Sequence, residues 1–91
     1  MIKSWRHKGL KELFETGDSR RIRPDQKVRV SRRLDRLNVA ENSVQVNIPG
    51  FDFHPLRGKP QRYSIHVNGP WCITFAWRGA DAVEVDLEQY H

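Results

Sequence analysis

From Tyr63 onward apolar and polar positions alternate: Tyr63, Ile65 and Val67, then Trp71, Ile73, Phe75 and Trp77, then Val83, Val85 and Leu87. A period of two marks strands with one buried face, so this half predicts three strands sharing one apolar sheet face. Between them stand Arg62, Ser64, His66, Cys72, Thr74, Arg78, Glu84 and Asp86. These are expected on the opposite face, as a groove or wet surface. Parity also constrains the first hairpin. Val67 and Trp71 share a face only if Asn68-Gly69-Pro70 is a three-residue loop, which puts His66 opposite Cys72. Around Arg78-Gly79-Ala80-Asp81 more than one register fits.

The first half follows a helical period. Leu10, Leu13 and Phe14 predict a helix closed by Gly17. Pro24 suits the first turn of a second helix, lined by Val30, Leu34 and Leu37 as far as about Ala40. Met1 to Trp5 reads as a short edge strand, and Ile48-Pro49-Gly50-Phe51 as a turn entering the sheet. Helices first and strands last, without repeat or linker, predict one α+β domain over residues 1–91, with two N-terminal helices packed on a mainly antiparallel sheet.

Charge changes the picture in one respect. The net charge is +5, but residues 1–40 hold twelve Lys/Arg against five Asp/Glu, whereas residues 41–91 hold four against six. A basic half suggests a polyanion, most often nucleic acid, with an acidic protein as the second reading. Arg29, Arg32, Arg33 and Arg36 share a stripe of the second helix, which is either a solvated face or a phosphate-binding ridge. No apolar run reaches the ~18 residues of a membrane span and no signal-peptide stretch opens the chain, so the expectation is a cytosolic protein without membrane contact. The single Cys72 agrees with a reducing compartment.

Candidate chemistry concentrates in two places. His54-Pro55-Leu56-Arg57-Gly58 offers an imidazole for proton transfer and a planar cation for phosphate oxygens. Tyr90 and His91 follow the third strand directly, where a phenol and an imidazole can lie against the sheet. Two other constellations stay open: His66 and Cys72 with Glu84 and Asp86 as a thiolate site, and a zinc site from His54, His66, Cys72 and His91. No P-loop, dinucleotide or zincin motif is present.

Taken in order, the residues resemble the HigB toxins of bacterial toxin–antitoxin pairs, within the wider RelE/ParE-like superfamily. The likeness runs through Met1-Ile2-Lys3-Ser4-Trp5-Arg6-His7-Lys8-Gly9-Leu10, Leu13-Phe14-Glu15, Ile48-Pro49-Gly50-Phe51, His54-Pro55-Leu56-Arg57-Gly58, Tyr63-Ser64-Ile65, Val67-Asn68-Gly69, Trp71, Ile73-Thr74-Phe75, Asp81-Ala82, Glu88, Tyr90 and His91.

The resemblance implies a microbial-RNase-like fold and a ribosome-dependent endonuclease that cuts translated mRNA without metal or other cofactor. It implies a HigA-type helix-turn-helix antitoxin as partner, with operator DNA reached only through that antitoxin. Carried over by position, His54, Arg57, Tyr90 and His91 form the catalytic site, with His54 and His91 as acid and base. Arg29, Arg32, Arg33, Arg36, Lys59 and Arg62 are the expected RNA- and ribosome-binding residues. The family often has lysine at 57, arginine at 72 and aspartate at 89, where this chain has Arg57, Cys72 and Gln89. Two alternatives remain: a toxin that binds the ribosome or gyrase without cutting, and a cysteine-dependent enzyme.

Overall fold

The computed structural model describes residues 1–90. Helix α1 spans Lys8–Thr16. His7 stands before it in extended backbone, and its Nδ1 accepts the Leu10 N–H. The helix stops where Gly17 turns left-handed at φ 87° and donates its N–H to the Leu13 carbonyl. Leu10 and Leu13 are buried beneath it.

Helix α2 spans Lys27–Val39, three residues later than the expected start at Pro24, which sits in a preceding turn. Gln26 occupies the cap position without using its side chain there. Instead the buried amide donates from Nε2 to Asn68 Oδ1 at 3.0 Å, tying the helix start to the sheet. Val30, Leu34 and Leu37 are fully buried, as the helical period predicts.

The sheet has four antiparallel strands in sequence order: β1 (His54–Pro55), β2 (Tyr63–Asn68), β3 (Trp71–Arg78) and β4 (Asp81–Gln89). Both helices cover one face, where Ile65, Val67, Ile73, Phe75, Ala82, Val85 and Leu87 join the helix residues in a single core. The α+β architecture is as expected. Among the described residues, no helix is long and apolar enough to cross a membrane.

The expected edge strand at residues 1–5 is two parallel bridges to β4, Ile2↔Ala82 and Trp5↔Val85. Lys3 and Arg6 donate their N–H groups to the Ala82 and Val85 carbonyls, each at 2.8 Å.

Three expectations from parity need correction. The first hairpin keeps His66 opposite Cys72 but closes on Asn68↔Trp71, with a register shift between His66 and Asn68. Its loop is therefore Gly69-Pro70 with a bulge, not three residues. In β4 a second shift falls between Thr74 and Ala76, where Glu84 takes φ 52°. The bulge reverses the parity, so Ala82 enters the core and Val83, buried opposite Ala76, lies on the other face.

That other face, expected to be wet, buries Ser64, Cys72 and Thr74. The long side chains of Arg62 and Glu88 converge on Thr74: Arg62 Nη2 donates to Thr74 Oγ1 at 3.0 Å, and Thr74 Oγ1 donates to Glu88 Oε2. A polar strand position thus becomes buried without entering the main core.

Candidate active site

His54 is placed by an aromatic ladder rather than by a long strand. Phe53 stacks on Tyr63 at 5.5 Å between ring centroids, Tyr63 leans on Phe75 at 5.8 Å, and Phe75 meets the edge of Trp77 at 5.3 Å. These rings hold Phe53 on the core side, and the next residue pairs with β2 as His54↔Ser64. Paired residues in an antiparallel ladder project to the same side. His54, Ser64, Thr74 and Asp86 therefore form one row across the outer face. Arg62 lies two residues from Ser64 on that side, and Tyr90 two residues beyond Glu88.

The His54 ring is exposed, and its Nδ1 lies 3.0 Å from the Asp52 carbonyl. A carbonyl only accepts, so Nδ1 carries the proton, and in the neutral imidazole Nε2 is the free basic nitrogen. Asp52 offers that carbonyl from left-handed backbone, φ 44°, a conformation aspartate tolerates better than most residues.

Arg62 is the half-buried cation of this face. Besides Thr74, its Nη2 donates to the Glu84 carbonyl at 2.8 Å, so the β4 bulge orients the guanidinium. Burial lowers its pKa from the ordinary arginine value, assisted by nearby Arg6 and opposed by Glu88, Asp86 and Tyr90. The guanidinium remains charged. Tyr90 extends the ladder by donating its N–H to the Pro70 carbonyl at 2.6 Å, and the residue is 43% exposed.

Arg57 and Lys59 are exposed on the connection from β1 to β2. Gln61 closes that connection: its Nε2 donates to both the Leu56 and Arg62 carbonyls at 2.8 Å, beside the Leu56 N–H to Arg62 carbonyl bond. Sequence reasoning did not single out Gln61, whose only signal is its place at the end of the Gly58-Lys59-Pro60 turn. His91 lies outside the described residues.

The arginine stripe of α2 is elsewhere. Arg33 donates from Nε to the His66 carbonyl at 2.6 Å and from Nη2 to the Gly50 carbonyl at 3.2 Å, and stacks 4.9 Å from the Phe51 ring centroid. Burial, then the charge of Arg29, lowers its pKa from the ordinary value. Arg29 donates to the Val67 carbonyl and Arg36 to that of Gln45. Three of the four guanidiniums thus fasten loops and the β2 edge to α2. Arg32 departs from them and lines a separate cleft with Lys27 and Asp35.

The alternative constellations find little geometry. Cys72 is buried, and its cross-strand partner in β4 is Glu88 rather than Glu84 or Asp86. Among the described residues no group of His, Cys, Asp and Glu side chains is arranged as metal ligands.

Comparison with known proteins fits this architecture. A family model described as the RelE-like toxin of type II toxin–antitoxin system HigB matches residues 3–91. The chain belongs to the HigB-like toxin family. This HigB-like toxin is also 38% identical to the Endoribonuclease HigB of Proteus vulgaris over 92 residues, covering the whole of both chains. It is the toxin of a type II toxin–antitoxin system, and an antitoxin is its partner.

Proposed function

We propose that this toxin is an endoribonuclease that cuts translated mRNA on the ribosome, in the cytosol, and that a HigA-type helix-turn-helix protein neutralises it and links it to operator DNA. The observation that carries the reading is His54, an exposed imidazole whose Nδ1 is fixed by the Asp52 carbonyl and whose face it shares with Arg62 and Tyr90. In the reaction, His54 Nε2 takes the proton of a 2′-hydroxyl and that oxygen attacks the adjacent phosphorus. The bond from phosphorus to the 5′-oxygen breaks, leaving a cyclic phosphate, and an acid, assigned to His91, protonates the departing oxygen. Arg57 and Arg62 balance the charge that develops on the phosphoryl oxygens, and Tyr90 positions the phosphate or stacks on a base.

Family membership and the endoribonuclease name of the Proteus vulgaris relative support the chemistry. The test is primer extension on mRNA in a translating extract. The proposal expects discrete cuts that require ribosomes and that fall 10²- to 10⁴-fold in rate, on the order expected for a lost general base, in His54→Ala. Intact mRNA beside arrested translation shows instead a toxin that binds without cutting.

A further inference from the structure

Besides Arg57 and Lys59 on the connection at His54, and with Arg29, Arg33 and Arg36 each bonded to a backbone carbonyl, a further group of exposed cations stands at the opposite, β4 edge of the sheet. Arg6, His7, Lys8, Gly9, Arg21 and Asp86 enclose a cleft of about 380 Å³ there. Lys8 and Arg21 are exposed and form no ion pair among the described residues. Arg6 meets Glu84 through Nε, at a long 3.4 Å. His7 does not contribute charge in the same sense, because its Nδ1 already accepts the Leu10 N–H. The positive potential therefore comes from three side chains, with Asp86 as the one carboxylate of the lining.

Gly9 gives the cleft its wall. A Cβ there would lie 2.6 Å from Arg21 Cβ and 2.8 Å from His7 Cε1, so the bare glycine is what lets Arg21 lie against the start of α1. The cleft is also continuous with the outer face. Asp86 ends the row that begins at His54, three strand spacings or about 14 Å away. Arg6 lies close enough to Arg62 to act on its charge.

From this continuity we infer that the cleft binds a backbone phosphate of RNA, removed from the bond that is cut. A strand laid across the face from His54 toward β4 brings a further phosphate against Arg6, Lys8 and Arg21. Such contacts add affinity and set register without taking part in bond breaking. The inference rests on the RNA-cleaving reading, and continuity with the His54 face favours RNA over an acidic segment of a protein.

The experiment compares the toxin with its Lys8→Gln/Arg21→Gln variant, which retains the Cβ and much of each stem at two exposed positions. Binding is measured across a salt series in two arms, ribosomes lacking mRNA and a single-stranded oligoribonucleotide, which separate ribosomal RNA from message as the phosphate source. In the arm that supplies the phosphate, the variant is expected to bind about tenfold more weakly and to lose about 1.5 from the slope of log affinity against log salt. The single-turnover cutting rate in the saturated complex stays within about twofold, as expected of contacts that position only. Asp86→Asn is expected to move affinity the other way.

Unchanged affinity and slope in both arms overturn the inference. So does a loss confined to antitoxin binding, which would make the cleft a protein contact. A wild-type toxin that cuts no message defeats the endonuclease reading instead, while the salt slopes still decide the cleft.

Discussion

His54, the proposed base, shows how little regular structure is needed to orient a side chain. Its strand is two residues long, and its ring is aimed by the carbonyl of Asp52, two positions earlier, in left-handed backbone. If the carbonyl and not the Asp52 side chain matters, Asp52→Gly should keep near-wild-type cutting. Asp52→Val, strained by about 1–3 kcal/mol at that φ, should cut more slowly and melt earlier. Single-turnover rates and thermal melts check both.

Ser64, in the same row, has a fully buried hydroxyl without a hydrogen-bond partner among the described residues. Removing an unsatisfied buried group relieves its desolvation cost, so Ser64→Ala is expected to raise stability by about 1 kcal/mol in urea unfolding. Cys72, buried beside it, has no role in the proposed reaction. Cys72→Ser should leave mRNA cutting within a fewfold of wild type, and its loss in a folded variant would favour thiol chemistry.

At the scale of elements, the helices were legible because their apolar spacing and the stop at Gly17 agree with one another. The start of α2 was not, since Pro24 is compatible with both a first helical turn and the turn before it, and the buried Gln26 decided the matter through tertiary packing. Strand parity predicted the core residues of β2 and β3, and Val85 and Leu87 of β4, but failed at Val83, beyond the bulge. Glu84 carries no glycine-like signal, and its positive φ is held from outside the strand: its N–H donates to Ser4 Oγ at 2.8 Å and its carbonyl accepts from Arg62. The stripe on α2 was legible as a pattern, but only the structure shows three of its members bound to loop and strand carbonyls. Arg33→Ala is accordingly expected to cost about 1–3 kcal/mol, the scale of charged hydrogen bonds. Amide exchange should quicken first in residues 47–53, the segment that leads to His54.

Across the whole molecule, the site is assembled from pieces that composition and periodicity alone do not join. His54, Arg62 and Tyr90 come onto one face only once β1 to β4 are in register, and it is the resemblance along the full chain that links the two ends. The core that holds this register is a single layer between helices and sheet. Leu34 is fully buried in it, and Leu34→Ala is expected to cost about 2–5 kcal/mol. Against a total stability on the order of 5–15 kcal/mol, that change should lower the melting temperature by many degrees and weaken toxicity through reduced folded protein.

The parallel bridges from residues 1–5 to β4, with Ser4 bonded to Glu84 across 80 positions, set an order of events during synthesis. The opening segment leaves the ribosome well before β4, yet has no strand partner until β4 has followed it out, and the Arg62 guanidinium lacks its Glu84 anchor until then. A nascent chain stalled after β3 is therefore expected to be protease-sensitive and unable to cut RNA, with protection arriving only once β4 emerges. A toxin with the action on translated mRNA proposed above would in this way be harmless to the ribosome that is making it, and pulse proteolysis of stalled chains of increasing length would reveal that delay.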